Sequence, residues 1–219
     1  MQQRVIIKMW YILIFLNFCL YANYYGGSPG ANFNYGTNAR EISLSNSIVS
    51  SYNKGFVALN NPALLPQIKN NEYGFSYFIM SLDRSVQSIS IARPLPPSAG
   101  VSLSLYRVGT DNIVETNSSF GNQLGILNYS QGFGMLSFGI DLGSLSGGFN
   151  FKALYNNMDI YQSESSLGFD VGFLYKINQN INLGMKINNL SSSFDWEINH
   201  LNQNQSEIYE EEIPLSYML

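Results

Sequence analysis

The chain of 219 residues carries 11 Lys plus Arg against 15 Asp plus Glu, a net charge of -4, and charged residues make up only 12% of it, about half the share of a typical soluble domain. That balance excludes the basic excess of a nucleic-acid binder. The 45% hydrophobic and 14% aromatic content excludes a disordered chain, and the single Cys excludes an internal disulfide framework or thiolate zinc cluster. What is left is a soluble all-β protein or a membrane β-barrel.

In chain order, Arg4 and Lys8 precede an apolar run from Trp10 to Leu20 broken only by Asn17. This is the pattern of a secretory signal over residues 1–22, with cleavage expected near Ala22. The run is too short to span a bilayer as a helix. Cys19 lies inside it as a hydrophobic signal residue. The exported chain that follows has no Cys, which points to a bacterial envelope rather than a eukaryotic secretory route.

Residues 23–72 lack a strand pattern and read as a plug-like segment. Within it, Asn61 is placed to cap a short helix whose first residue is Pro62, followed by Ala63, Leu64 and Leu65. Pro66 is expected to stop that helix after one turn.

From Tyr73 to the end of the chain, apolar residues recur with a period of two, the signature of β-strands. Segments are expected at 73–81, 85–93, 99–107, 122–130, 136–142, 145–156, 166–175 and 181–188, with a ninth beginning near Ile213. The clearest places Ile181, Leu183, Met185 and Ile187 on one face and Asn182, Gly184, Lys186 and Asn188 on the other. A β-sandwich also alternates in this way. These segments, however, approach the length that a tilted strand needs to cross a bilayer, and their second faces hold Gly, Ser and Asn in place of dense charge. Tyr73, Tyr106, Tyr129, Tyr155 and Tyr175 fall toward segment ends, as in an interfacial girdle. Gln131-Gly132 and Leu142 to Ser144 read as tight turns, whereas 107–121 and 190–212 read as long polar loops. Lys152, Asp170 and Lys186 lie on polar faces and are candidate lumen groups that line a pore or pair with one another.

Catalytic chemistry finds no constellation. His200 is the only His and falls in the second polar stretch. The Ser residues form no Gly-x-Ser-x-Gly elbow, and Gly132-x-Gly134 is followed by no helix. Glu207, Glu210, Glu211 and Glu212 lack the ligand spacing of a calcium loop. No enzyme activity, metal or cofactor is expected.

Asn38-Ala39-Arg40 followed by Leu59-Asn60-Asn61-Pro62-Ala63-Leu64-Leu65 resembles the opening of the PorV/PorQ family of bacterial outer-membrane proteins, relatives of the FadL fatty-acid channels. Phe169-Asp170-Val171-Gly172-Phe173-Leu174-Tyr175, Lys186-Ile187-Asn188-Asn189-Leu190 and Glu212-Ile213-Pro214-Leu215 resemble later landmarks in the same order. The Leu-Leu ending of the first motif is closer to the PorQ-like branch. The family's Gly-rich run is replaced here by Ile42-Ser43-Leu44-Ser45-Asn46. The resemblance implies an antiparallel FadL-like transmembrane β-barrel with an N-terminal plug, located in the bacterial outer membrane. It also implies a role in envelope transport or as an accessory of type IX secretion. Partners would be outer-membrane lipid and secretion components or exported cargo. The first alternative is a FadL-like channel for hydrophobic small molecules, and the second an exported β-sandwich binding module. The family's barrel has more strands than the eight or nine legible here, so the chain is expected to be a C-terminally truncated member.

Overall fold

In a computed structural model the described residues are 27–116, 121–158, 161–164, 166–178, 181–199 and 206–219. The expected signal over 1–22, with Cys19, and His200 lie outside them. The period-two alternation becomes a mostly antiparallel β-sheet protein. Its strands are β1 (Glu72–Met80), β2 (Arg84–Leu95), β3 (Ala99–Thr116), β4 (Gln123–Asp141), β5 (Leu145–Met158), β6 (Tyr161–Glu164), β7 (Ser166–Lys176), β8 (Asn182–Leu190), β9 (Ser193–Asn199), β10 (Ser206–Glu212) and β11 (Ser216–Met218).

Each strand pairs with its predecessor in a meander from β1 to β5, and β5 pairs with β7, β7 with β8, and β8 with β11. The short β6 also pairs with β5, and β9 pairs with β6 and β10. Thus β6–β7, β8–β9 and β10–β11 are three passages, each interrupted partway. Pro214, between β10 and β11, has no N–H to give a ladder. At the end of β8 and just beyond it, Asn189 and Ser191 adopt positive φ of 62° and 53°. Among the described residues, β1 pairs only with β2, and β11 only with β8.

Several expected boundaries are corrected by this register. The segments expected at 122–130 and 136–142 are one strand, so Gln131-Gly132 is not a turn; Gln131 faces Val108 and Asn156, and Gly132 faces Arg107 and Tyr155. A glycine is needed there because a Cβ would lie 2.3 Å from the backbone carbonyl oxygen of Tyr106. The polar stretch after Arg107 continues β3 to Thr116. The stretch 190–212, expected as a loop, holds the β9–β10 hairpin, in which Asp195 faces Glu210. The β3 extension is largely polar and the hairpin is dominated by acidic residues, although β9 sends Phe194 into the buried core and packs Trp196 against it. Connections at one end are tight, 96–98 and 142–144, and the strands project much farther at the other.

Alternation sorts the faces in an unusual sense. Outward positions are apolar and open: Phe75 is 72% exposed, Ile79 75%, Leu103 56%, Phe149 52%, and Phe151, Leu167, Phe169 and Phe173 continue the band. Inward positions are buried and mix small or polar residues, among them Ser88, Ser90, Ser102, Ser104, Ser137 and Asn150, with the apolar Val86, Met135, Leu154 and Leu174, which join the plug's Val57, Leu64 and Leu65 in one core. The tyrosines expected as a girdle divide: Tyr73 and Tyr175 are exposed, whereas Tyr106 is buried and donates its hydroxyl hydrogen bonding inward to the carbonyls of Asn32 and Tyr35, both at 3.1 Å.

Residues 27–71 fill the inward side. A 3-10 turn at Ala31–Asn34 is followed by the short helices α1 (Ala39–Ser43) and α2 (Val57–Asn60) and a 3-10 turn over Pro62–Gln67. That last turn runs one residue beyond Pro66, which was expected to end it. Asn38 caps α1, its Oδ1 accepting from the Glu41 N–H at 3.1 Å, and Glu41 in turn accepts from the Thr37 N–H at 2.7 Å, a reciprocal arrangement of the capping-box kind. Among the described residues no helix is long and apolar enough to cross a membrane, which says nothing of strands.

Candidate functional site

The site is best built upward along β5, whose inward positions step through three levels. At the lowest, Gly148 belongs to a lateral row: Gly100 faces Gly139, Gly139 faces Gly148, and Gly148 faces Gly172. Four neighbouring strands thus present no side chain at one height. The plug backbone occupies the groove. A Cβ on Gly139 would lie 2.3 Å from the Pro62 carbonyl oxygen, on Gly148 2.5 Å from the Pro62 carbonyl carbon, on Gly100 2.5 Å from the Leu65 oxygen, and on Gly172 2.1 Å from Asn61 Oδ1. Close backbone approach is what requires glycine in a strand interior.

Asn61, fully buried, uses both ends of its amide. Oδ1 accepts from the Ala63 N–H at 3.0 Å, capping the turn, while Nδ2 donates to the carbonyls of Val49 at 2.8 Å and Phe173 at 3.2 Å. Pro62, Ala63, Leu64 and Leu65 are buried beside it. The five motif residues singled out in the sequence therefore form the footing of the plug on the sheet.

One level up, Lys152, Asp170 and Lys186 converge. Lys152 Nζ lies 2.6 Å from Asp170 Oδ1, and Lys186 Nζ 3.7 Å from Oδ2. The Asp170 carboxylate also accepts from Asn150 Nδ2 at 2.8 Å and from the Asn189 N–H at 3.1 Å. The second of these exists because the β7–β8 register shifts here, setting Asn188 and Asn189 against Asp170, and Asn189 takes its positive φ. Lys186 Nζ donates to the Leu59 carbonyl at 2.8 Å, so the cluster grips the plug. A cavity of about 60 Å³ lies among Lys152, Asp170, Lys186 and Glu41, bringing two carboxylates and two ammonium groups together. Lys152 Nζ also stands 5.1 Å from the centre of the Phe133 ring, which stacks on Tyr106 and meets Phe33 edge-on.

Farther up, the Ala31–Asn34 turn and Tyr35 form a partition. Tyr106 holds it from the strand side, Asn46 Nδ2 donates to the Asn34 carbonyl at 2.8 Å, and Arg84 donates to the Tyr35 hydroxyl at 3.2 Å. Above the partition an open cavity of about 770 Å³ is lined by Asn32, Tyr35, Tyr129, Gln131, Asn156 and Glu211. On the plug's outer flank, Glu72 accepts from the Gly55 N–H at 2.8 Å and from the Tyr52 hydroxyl. Burial, reinforced by that carboxylate, raises the pKa of the Tyr52 phenol.

Lys152, Asp170 and Lys186 were legible as inward candidates. The glycine row and the 770 Å³ cavity were missed, because both depend on strand register. The phase shared by Gly139, Gly148 and Gly172 with the buried polar positions was the available signal. Among the described residues, no group of three or more His, Cys, Asp or Glu side chains is placed to hold a metal ion. Compared with known proteins, the chain matches no family model, no curated protein and no solved structure.

Proposed function

We propose that this chain is a non-enzymatic β-barrel protein of a bacterial outer membrane, of the PorV/PorQ type, acting in envelope transport or as an accessory of type IX secretion. The observation that carries the membrane reading is the sorting of faces. A continuous band from Phe75 through Leu103 and Phe149 to Phe173 stands open, far beyond the scattered exposed apolar residues of a water-soluble sheet. The polar residues are turned inward, as in outer-membrane barrels, and tight connections at one end oppose long strand extensions at the other. Outer-membrane lipid is the partner such a band fits. The secretion role rests on the ordered motifs from Asn38 to Leu215 and on the plug that the Asn61 to Leu65 motif anchors.

Conduction of hydrophobic solutes draws less support. The cavity beneath the Ala31–Asn34 turn is only about 60 Å³ and holds the charged Glu41, Lys152, Asp170 and Lys186. Cell fractionation tests the membrane reading. The protein should require detergent for extraction from the outer-membrane fraction and should migrate differently on gels before and after boiling. Recovery in the soluble periplasm without detergent overturns it. Co-purification of secretion-machine components then tests the role, and their absence from a crosslinked outer-membrane preparation counts against it.

A further inference from the structure

The cavity above the partition has a chemistry of its own, and we infer that it is a binding site for a neutral, hydroxyl-rich ligand of the saccharide class. Gln131 is buried, faces inward at the cavity wall, and its Oε1 has no hydrogen-bond partner among the described residues. A buried acceptor left unsatisfied costs about 1–3 kcal/mol, a deficit that a ligand hydroxyl or N–H removes. Around it stand the Asn32 and Asn34 amides, the Tyr129 hydroxyl hydrogen-bonded with Asn156 and Asn32, and the Glu211 carboxylate, of which Oε2 accepts from Trp196 Nε1 at 3.0 Å. This set supplies both donors and acceptors at short spacing, as the alternating roles of sugar hydroxyls demand. Tyr35 and Tyr129 add ring surface suited to the C–H face of a pyranose.

The charge pattern narrows the class. No Lys or Arg lines the cavity among the described residues, while Glu211 does, so phosphate and carboxylate ligands meet no counter-charge. Amides outnumber apolar side chains, so a fatty acid would leave the Gln131 Oε1 without a donor. A volume of about 770 Å³ lies within the range of ligand pockets. Both a free oligosaccharide and the sugar head of a glycolipid present this chemistry. The inference stands apart from the membrane assignment, because it needs only the cavity.

Trp196, bonded to Glu211, gives the readout. The whole protein is purified in lauryldimethylamine oxide, since sugar-based detergents would compete, and titrated with maltotriose, with tri-N-acetylchitotriose, with lipopolysaccharide, with dodecanoate and with trialanine. A saturable change in tryptophan emission is expected with at least one saccharide. Response to a free trisaccharide identifies a soluble sugar as sufficient, and response to lipopolysaccharide alone identifies a glycolipid head. Gln131→Leu should weaken that binding about tenfold, as expected for one lost hydrogen bond, and Tyr129→Phe, which keeps the ring, should weaken it severalfold. A parental circular dichroism spectrum and a cooperative thermal transition check that each variant is folded, and if Gln131→Leu is not, Tyr129→Phe and Glu211→Gln decide. Saturation by dodecanoate or trialanine in place of sugars, no saturable response to any saccharide, or affinity unchanged in the folded variants overturns the inference.

Discussion

Lys186 donates from Nζ to the backbone carbonyl of Leu59 at 2.8 Å, joining two residues 127 positions apart in the chain. Lys186 faces Gly172 across the β7–β8 ladder, so it closes one end of the lateral row that begins at Gly100. The strand wall therefore holds the plug in two ways at nearly one height. Absent side chains admit its backbone, and one long side chain reaches over to bind it. Two ammonium groups near Asp170 are balanced only when Glu41, on α1, is also present at the cavity. Seating of α1 and electrical neutrality of the wall are consequently linked.

Asp170→Asn should be the most damaging single polar change. Both carboxylate oxygens accept, one from Lys152 and the Asn189 N–H, the other from Asn150, and the Lys186 ammonium stands 3.7 Å from the second. An amide turns an N–H toward one pair of donors and removes the negative charge. Breaking a buried ion pair in this way costs about 3–5 kcal/mol, read as a lowered urea midpoint in liposomes. Adding Lys152→Met should recover part of the loss by removing an uncompensated ammonium. Strictly additive losses, or an unchanged midpoint for Asp170→Asn, would contradict the arrangement.

Adjacent glycines give a matched pair. Gly148 faces the plug, and a Cβ there would lie 2.5 Å from backbone, whereas Gly147 faces outward with nothing within 4 Å. Gly148→Ala should cost about 1–3 kcal/mol by overpacking and make residues near Pro62 accessible to protease. Gly147→Ala should leave both measurements within error of the parent. Equal effects at the two positions would remove the case for a glycine groove.

Asn61 separates capping from bridging. If it served only as an N-cap, Asp would replace it well. Its Nδ2, however, donates to the carbonyls of Val49 and Phe173, and a carboxylate at that point would face acceptors alone. Asn61→Ala should cost about 1–3 kcal/mol, and Asn61→Asp should be worse than Ala at neutral pH. Thermal unfolding of the two variants ranks them; Asp equal to the parent would reduce the residue to a cap.

How much of this could be read in the sequence follows from where register enters. Alternation alone specified the faces of Leu167 to Tyr175 and Ile181 to Asn188, and the Asn61-Pro62 pair announced a capped turn, since both are local signals. Gly132 reads as a turn because glycine serves turns and close approaches alike, and what distinguishes them is the Tyr106 carbonyl oxygen, 2.3 Å from where a Cβ would stand. The β9–β10 hairpin reads as a loop because the four glutamates of β10 outweigh the short alternation of Phe194 and Trp196 in β9, whose rings meet the core only once the strands are paired. Asp170, Lys152 and Lys186 could be assigned to the inward phase. Their meeting needed the offset that sets Asn189 against Asp170.

The outward face offers the sharpest test of the membrane reading, because lipid and water reward opposite substitutions there. Phe149 lies at the middle of the band, opposite Phe138 and Val171, with its ring 5.8 Å from that of Phe138. In water, Phe149→Arg would relieve an exposed apolar patch and cost little, with solubility improved. In a bilayer, an arginine near the midplane costs about 2–4 kcal/mol. The expected outcome is impaired insertion into liposomes and a smaller heat-resistant fraction on unboiled gels. Glu115→Arg, on the projecting part of β3 and exposed, should insert like the parent. A depth-dependent contrast between the two identifies lipid as the medium that the band faces, and equal behaviour of both in soluble form would return the sheet to water.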